Sequence, residues 1–138
     1  MERPMPERRP RISVINDNAE FLDLMSAILD EDAGYDVSLF KGEVVEISEL
    51  VSSDPDLIIV DLLLGGASGW EIVTLSRSDE RLAAVPIIVC SADVTALRDR
   101  EADLERIGNV HMLAKPFAID EITELVERLI GRAVPASG

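Results

Sequence analysis

The chain has 138 residues, of which 47% are hydrophobic, and this size and composition predict one globular domain with a packed core. Its formal net charge of −14 argues against binding of nucleic acid or an anionic membrane, since both need a basic surface. The single cysteine, Cys90, excludes an internal disulfide and a cysteine-based zinc site. The sequence has no apolar run of the ~20 residues that span a bilayer and no signal peptide, so we expect a soluble cytoplasmic protein.

The two ends of the chain differ from its middle. Residues 1–10 are rich in proline and arginine and almost free of apolar residues, which predicts a flexible basic leader. We expect the folded domain over residues 11–131 and a short tail over 132–138. So little sequence follows the last predicted helix that we expect no effector domain here, and the chain is either a stand-alone domain or a piece of a larger protein.

Strands and helices alternate in the first part of the chain. Residues 12–15 predict a strand, and the polar residues 16–18 suit the N-terminal cap of the helix that follows. Residues 35–40 alternate between apolar and polar, which predicts a strand at the edge of a sheet. A weak helix over residues 44–50 and a turn over 52–55 complete this part.

The second part begins with a strand of four aliphatic residues, 57–60, followed directly by Asp61. Such a run is typical of a strand that is buried on both faces of a parallel sheet. A helix starting at Ser68 or Gly69 follows, and residues 86–90 form another uninterrupted apolar strand.

The last elements are a charged helix over residues 94–108, a strand over 110–114 and an amphipathic helix over 119–130. The strand–helix pair thus occurs five times. This alternation predicts an α/β fold, a doubly wound parallel sheet of five strands with right-handed crossovers.

Polar residues follow four of these strands: Asn16 and Asp17, then Asp61, Ser91 and Lys115. The carboxyl ends of parallel strands share one edge of the sheet, where ligands gather in such folds. Clustered carboxylates repel each other unless a positive charge lies among them; Lys115 supplies one, and Mg²⁺ could supply the rest. Mg²⁺ held by few carboxylates is typical of phosphoryl transfer. Taken alone, Asp61 could equally be a residue that forms a turn at the end of its strand.

With this set of residues, the chain resembles the receiver domain of two-component response regulators, including the chemotaxis regulators, over about residues 11–131. The matching residues are Asn16 and Asp17, Asp61, Gly69 eight positions later, Ser91 thirty positions after Asp61, and Lys115-Pro116-Phe117. The resemblance implies a flavodoxin-like fold with the strand order 2-1-3-4-5. It also implies a signalling switch rather than an enzyme, with at most self-catalysed phosphoryl transfer and slow autodephosphorylation.

The resemblance assigns a role to each site residue. Asp61 would accept a phosphoryl group from a sensor histidine kinase or a phosphotransfer protein, with Mg²⁺ or Mn²⁺ as cofactor. Ser91 and Lys115 would bind phosphoryl oxygens, and the Lys115–Pro116 peptide bond would be cis. The metal ligands would be Asp17, Asp61 and the backbone carbonyl of Leu63, with Asn16 acting through a water. A downstream protein partner would bind the face formed by the fourth helix, the fifth strand and the last helix, through a switch at Ser91 and residue 112.

Three residues depart from the family pattern. Asn16 replaces an acidic residue, Gly65 replaces a proline, and Met112 replaces the aromatic residue of the fifth strand. Asn16 and Met112 leave open a receiver-like adaptor that works without phosphorylation. A nucleotide- or flavin-binding protein is the remaining alternative, but the acidic segment 16–20 would repel a bare phosphate. We interpret Cys90 as a packing residue.

Overall fold

The computed structural model describes residues 9–41, 47–62, 69–91, 94–99, 101–115 and 118–131. Most of the predicted leader, residues 1–8, and the predicted tail, residues 132–138, lie outside these ranges.

Five strands form one parallel sheet in the order β2-β1-β3-β4-β5. The strands are β1 Arg11–Ile15, β2 Asp36–Phe40, β3 Leu57–Asp61, β4 Ile87–Ser91 and β5 Val110–Ala114. This confirms the predicted fold and strand order. The fourth strand runs one residue later than predicted, so that Ser91 is its last residue rather than the residue after it.

The helices are α1 Ala19–Met25, a π-helical continuation π1 Ser26–Asp32, α2 Ile47–Ser53, α3 Gly69–Ser78, α4 Val94–Asp99, α5 Glu101–Ile107 and α6 Ile119–Ile130. The long helix predicted over residues 94–108 is described as the two segments α4 and α5, between which residue 100 is not described. No described helix has the length and apolar character needed to cross a membrane.

The central strand β3 is buried on both faces, as its aliphatic run predicts. Leu57 and Ile59 point to a core layer that includes Leu29 of π1 and Val126 of α6. The alternate residues of β3 point to the opposite layer, which contains Leu50 of α2. Since successive side chains of a strand face opposite sides, a strand between two helix layers must be apolar throughout. The edge strand β2 contains no fully buried residue.

Two local predictions need correction. The turn predicted over residues 52–55 begins too early, because α2 continues through Ser53, whose hydroxyl donates to the carbonyl of Leu50 at 2.6 Å. Asp54 then ends the helix with a φ of 50°. The π-helical geometry of residues 26–32 is also absent from the prediction, since apolar spacing does not distinguish it from an α-helix. In it, the Ala33 amide donates to the carbonyl of Ile28, five residues earlier, at 3.1 Å.

Candidate functional site

Four of the predicted site residues lie at the carboxyl edge of the sheet because each ends or follows a strand. Asp61 is the last residue of β3 and Ser91 the last of β4, while Asn16 follows β1 and Lys115 follows β5. The structure brings Asn16, Asp61 and Lys115 into direct contact.

The carboxylate of Asp61 is the centre of this group. Its Oδ2 accepts a hydrogen bond from Lys115 Nζ at 2.7 Å and another from Asn16 Nδ2 at 3.1 Å. Only 13% of the Asp61 side chain and 23% of the Lys115 side chain are exposed, so water screens their attraction less than at an open surface. One carboxylate oxygen therefore receives both a cationic and a neutral donor.

The side chain of Asn16 is held in one orientation. It is 3% exposed, and its Oδ1 accepts from the backbone amide of Asn18 at 2.8 Å. Because a backbone N–H can bond only to the oxygen end of the amide, the NH₂ end must face Asp61. Asn16 thus donates to the carboxylate, which an acidic residue could do only when protonated. The sequence analysis did not predict this role, although the NH₂ group of an asparagine can donate a hydrogen bond to a carboxylate.

Backbone hydrogen bonds join the strand ends around the site. The amide of Lys115 donates to the carbonyl of Ser91 at 2.8 Å, and the amide of Leu62 donates to the carbonyl of Cys90 at 2.9 Å. Ser91 is 1% exposed, so its side chain lies inside this edge rather than on the surface. The positions of Asp61, Ser91 and Lys115 are therefore coupled through the ends of three adjacent strands.

Gly69 packs directly against the backbone of Asp61. A Cβ atom at position 69 would lie 1.9 Å from the carbonyl oxygen of Asp61 and 2.9 Å from the Cα of Leu62. The Gly69 amide also donates to the carbonyl of Leu62 at 2.9 Å. The start of α3 thus approaches the end of β3 so closely that a side chain does not fit.

A second group also holds Lys115. Its ammonium nitrogen lies 4.3 Å from the centroid of the Phe21 ring, within the range of a cation–π interaction. Phe21 belongs to α1, whose N-terminal cap Asn18 accepts from the Phe21 amide at 3.1 Å. No local sequence pattern links Phe21 to position 115, so this contact could not be predicted from the sequence.

Four further predicted features concern Asp17, Leu63, Gly65 and the Lys115–Pro116 peptide bond. Asp17 directly follows Asn16 and is partly buried. Leu63, Gly65 and the Lys115–Pro116 peptide bond lie outside or at the border of the described residues. In the described ranges, no cluster of three or more His, Cys, Asp or Glu side chains could hold a metal ion.

The neighbouring residues of β4 and β5 are part of the packing. Burial raises the pKa of the Cys90 thiol to about 12, which keeps it neutral and unreactive. Met112 is partly buried and packs on the core layer that contains Leu50.

His111 lines a cavity of about 500 Å³ between β5 and α6, and burial lowers its pKa. The buried Nε2 of His111 has no hydrogen-bond partner among the described residues.

Comparison with known proteins gives the family that the sequence resembles. The response regulator receiver domain family matches residues 12–127. The DNA-binding dual master transcriptional regulator RpaA of Synechocystis sp. is 33% identical over 123 residues, which cover 89% of this chain and 50% of that protein. This chain spans about half the length of the curated relatives it matches.

Two solved structures illustrate the structural similarity. The chemotaxis response regulator CheY4 of Vibrio cholerae superposes with a TM-score of 0.75 at 21% identity, covering 87% of this chain and 98% of that chain. The receiver domain of the sensor histidine kinase PA1611 from Pseudomonas aeruginosa, with a magnesium ion coordinated in its active site cleft, gives a TM-score of 0.69 at 28% identity. That match covers 88% of this chain and 98% of the other.

Proposed function

Because this chain belongs to the response regulator receiver domain family, we propose that it is a phosphoacceptor switch in which Asp61 takes a phosphoryl group from a histidine kinase or phosphotransfer protein. The observation that carries this proposal is the contact of Asp61 with Lys115 and Asn16 at the carboxyl edge of the sheet.

Asp61 is suited to act as the nucleophile. It is largely buried and paired with a cation, and its carboxylate oxygens carry the electron pairs needed for attack. A carboxylate oxygen forms a bond to phosphorus as the P–N bond of the donor phosphohistidine breaks. The electron pair of that bond leaves with the imidazole nitrogen, and the product is an acyl phosphate on Asp61.

Lys115 and Ser91 would hold the product. Phosphorylation adds negative charge beside the lysine, and the ammonium can then bond a phosphoryl oxygen instead of the carboxylate. The hydroxyl of Ser91, on the neighbouring strand end, would donate to another phosphoryl oxygen. The backbone hydrogen bond from the Lys115 amide to the Ser91 carbonyl keeps the two residues side by side.

The donor set suits a hard divalent cation. Asp17 and Asp61 supply carboxylate oxygens, the ligands that Mg²⁺ and Mn²⁺ prefer, and the Leu63 carbonyl and a water held by Asn16 would complete the set. When bound, Mg²⁺ would neutralise charge on the phosphoryl oxygens. The magnesium ion in the related PA1611 receiver domain supports this assignment. With Asn16 neutral and turned toward Asp61, we expect weaker binding than in a site with a third carboxylate.

We infer that the output is a change in protein–protein contact. The switch would connect Ser91 to Met112 of β5 and so to the surface formed by α4, α5, β5 and α6. Histidine kinase and downstream protein would be the two partners.

Exposure of the protein to acetyl phosphate and Mg²⁺ tests the proposal. We expect the intact mass to increase by one phosphoryl group, and peptide mapping after borohydride reduction to locate it at Asp61. A protein that acquires no phosphoryl group from acetyl phosphate or from any histidine kinase would instead be a receiver-like adaptor. One observation favours that second function: an amide, Asn16, donates to Asp61 at the position where the family pattern has an acidic residue.

A further inference from the structure

We propose that Phe21 is a positioning residue for phosphoryl binding, because its ring holds the ammonium group of Lys115 at the place where the phosphoryl group arrives. The inference rests on the proposed function of Asp61. It assigns to an apolar residue of α1 a role in positioning Lys115, which follows the last strand, β5.

The contacts form a closed circuit around the site. Lys115 Nζ donates to Asp61 Oδ2, and Asn16 Nδ2 donates to the same oxygen. Asn16 Oδ1 accepts from the Asn18 amide, and Asn18 Oδ1 accepts from the Phe21 amide. The Phe21 ring then lies 4.3 Å from Lys115 Nζ and closes the circuit. Asn18 and Asn16 thus link the backbone of Phe21 to Asp61, and the ring of Phe21 contacts the lysine that is bonded to the same carboxylate.

The ring itself is also well anchored. Phe21 is partly buried and packs on the core layer that contains Leu29 and Val126, so its orientation is set by the core as well as by the helix. A lysine side chain has four rotatable bonds and loses much conformational freedom when it is held in one place. A ring that is already fixed can restrict the ammonium group at little further cost in conformational entropy.

An aromatic ring suits this task better than a second carboxylate would. Its face attracts a cation through the ring quadrupole but carries no net charge. An additional carboxylate would compete with the phosphoryl group for the lysine and would repel the phosphoryl group itself. Phe21 can thus hold Lys115 both before and after Asp61 becomes an acyl phosphate.

The test compares three variants of the full chain. Phe21→Leu keeps an apolar side chain but removes the ring, and Phe21→Tyr keeps the ring. Leu24→Ala is the matched control, because Leu24 lies on the same helix and is 45% exposed. For each protein we would measure the rate of phosphorylation by acetyl phosphate, the affinity for beryllofluoride with Mg²⁺, the thermal stability, and the NMR shifts of the Lys115 side chain.

The expected result is specific to the ring. Phe21→Leu lowers beryllofluoride affinity and the phosphorylation rate by roughly two- to fivefold, the factor that a partly exposed cation–π contact would give. The upfield ring-current shift of the Lys115 methylene protons disappears in the same variant. Phe21→Tyr retains both properties, and Leu24→Ala behaves as the wild type.

Two outcomes would overturn the inference while the proposed function stands. In one, the wild type is phosphorylated and Phe21→Leu matches it in rate and affinity. In the other, the Lys115 methylene protons show no ring-current shift in the wild type. If the wild type acquires no phosphoryl group and binds no beryllofluoride, the proposed function fails, and with it the phosphoryl-binding role of Phe21.

Discussion

Lys115 Nζ lies 2.7 Å from Oδ2 of Asp61, although the two residues are 54 positions apart in the sequence. The pair spans the ends of β3 and β5, which are not neighbours in the sheet, because β4 lies between them. Its formation therefore depends on the register of two strand pairings and on the length of the lysine side chain. The long side chain of Lys115 extends past the end of β4 and so brings its ammonium group to Asp61.

Replacement of the acceptor tests its identity. We expect Asp61→Asn to abolish phosphoryl uptake, while the free energy of unfolding falls by no more than about 2 kcal/mol, since the amide oxygen still accepts a hydrogen bond. Intact-mass measurement after acetyl phosphate treatment and a urea titration check both parts. Uptake at the wild-type level, mapped to one and the same other residue in the variant and in the wild type, would show that Asp61 is not the acceptor.

Conversion of Asn16 to an acid should couple stability to the metal. In Asn16→Asp, a donor to Asp61 becomes a second carboxylate, so without Mg²⁺ we expect a loss of about 1–2 kcal/mol in the free energy of unfolding. Mg²⁺ should bind more tightly than to the wild type and reverse the loss. Thermal unfolding with and without Mg²⁺ measures this. Asn16→Ala is the control: it loses the donor without adding charge, so Mg²⁺ should not restore its stability to the same extent.

A side chain at position 69 should disturb the acceptor. Because a Cβ there would overlap the carbonyl of Asp61, we expect Gly69→Ala to cost about 1–3 kcal/mol of stability and to slow phosphorylation of the remaining folded protein. Gly131→Ala is the control: its φ of 83° strains any other residue, but an added Cβ has no neighbour within 4 Å. This control should lose stability and keep the wild-type phosphorylation rate. Equal rates in both variants would contradict a positioning role for Gly69.

Arg77 of α3 should contribute to stability without affecting the site. Its guanidinium donates hydrogen bonds to four backbone carbonyls, those of Leu82, Val85, Gly108 and Asn109. We expect Arg77→Ala to lower the free energy of unfolding by about 2–3 kcal/mol. Arg77→Lys should recover less than half of the loss, because an ammonium group cannot bond several carbonyls in a planar fork.

Urea titrations of both Arg77 variants measure this, with phosphorylation as a second readout. Arg81→Ala is the control, since the exposed ion pair of Arg81 with Asp79 should contribute little. Full recovery of stability in Arg77→Lys would mean that charge alone, and not the planar arrangement of donors, holds these carbonyls.

Met112 should limit the size of the conformational switch. It is flexible and unbranched, so it can repack gradually where an aromatic ring would move between two positions. We expect Met112→Tyr to increase the amide shifts that beryllofluoride causes in α4, as measured by NMR. If the wild type already shows large shifts there and the variant adds none, the output does not depend on position 112.

The sequence by itself determined the fold and predicted which polar residues lie at the carboxyl edge of the sheet. The aliphatic runs of β3 and β4 indicate strands buried on both faces, and the alternation with helices leaves a parallel sheet as the consistent arrangement. Because all parallel strands end at one edge, the polar residues after them could be assigned to one site before any distance was known. The extent of α2 and the π-helical geometry of residues 26–32 could not be predicted from the sequence. Hydrophobic spacing constrains the buried face of a helix more than its ends or its pitch.

Only the tertiary structure decided which atoms meet at that edge. The direction of the Asn16 amide depends on the Asn18 amide, and the closeness of Gly69 to Asp61 depends on how the start of α3 packs against the end of β3. The Phe21–Lys115 contact depends on the position of α1 in the core layer that it shares with α6. Each is a relationship between side chain and backbone, or between residues far apart in the sequence. Local propensity and hydrophobic pattern constrain which face a residue occupies, but contacts of this kind are set by how the layers pack.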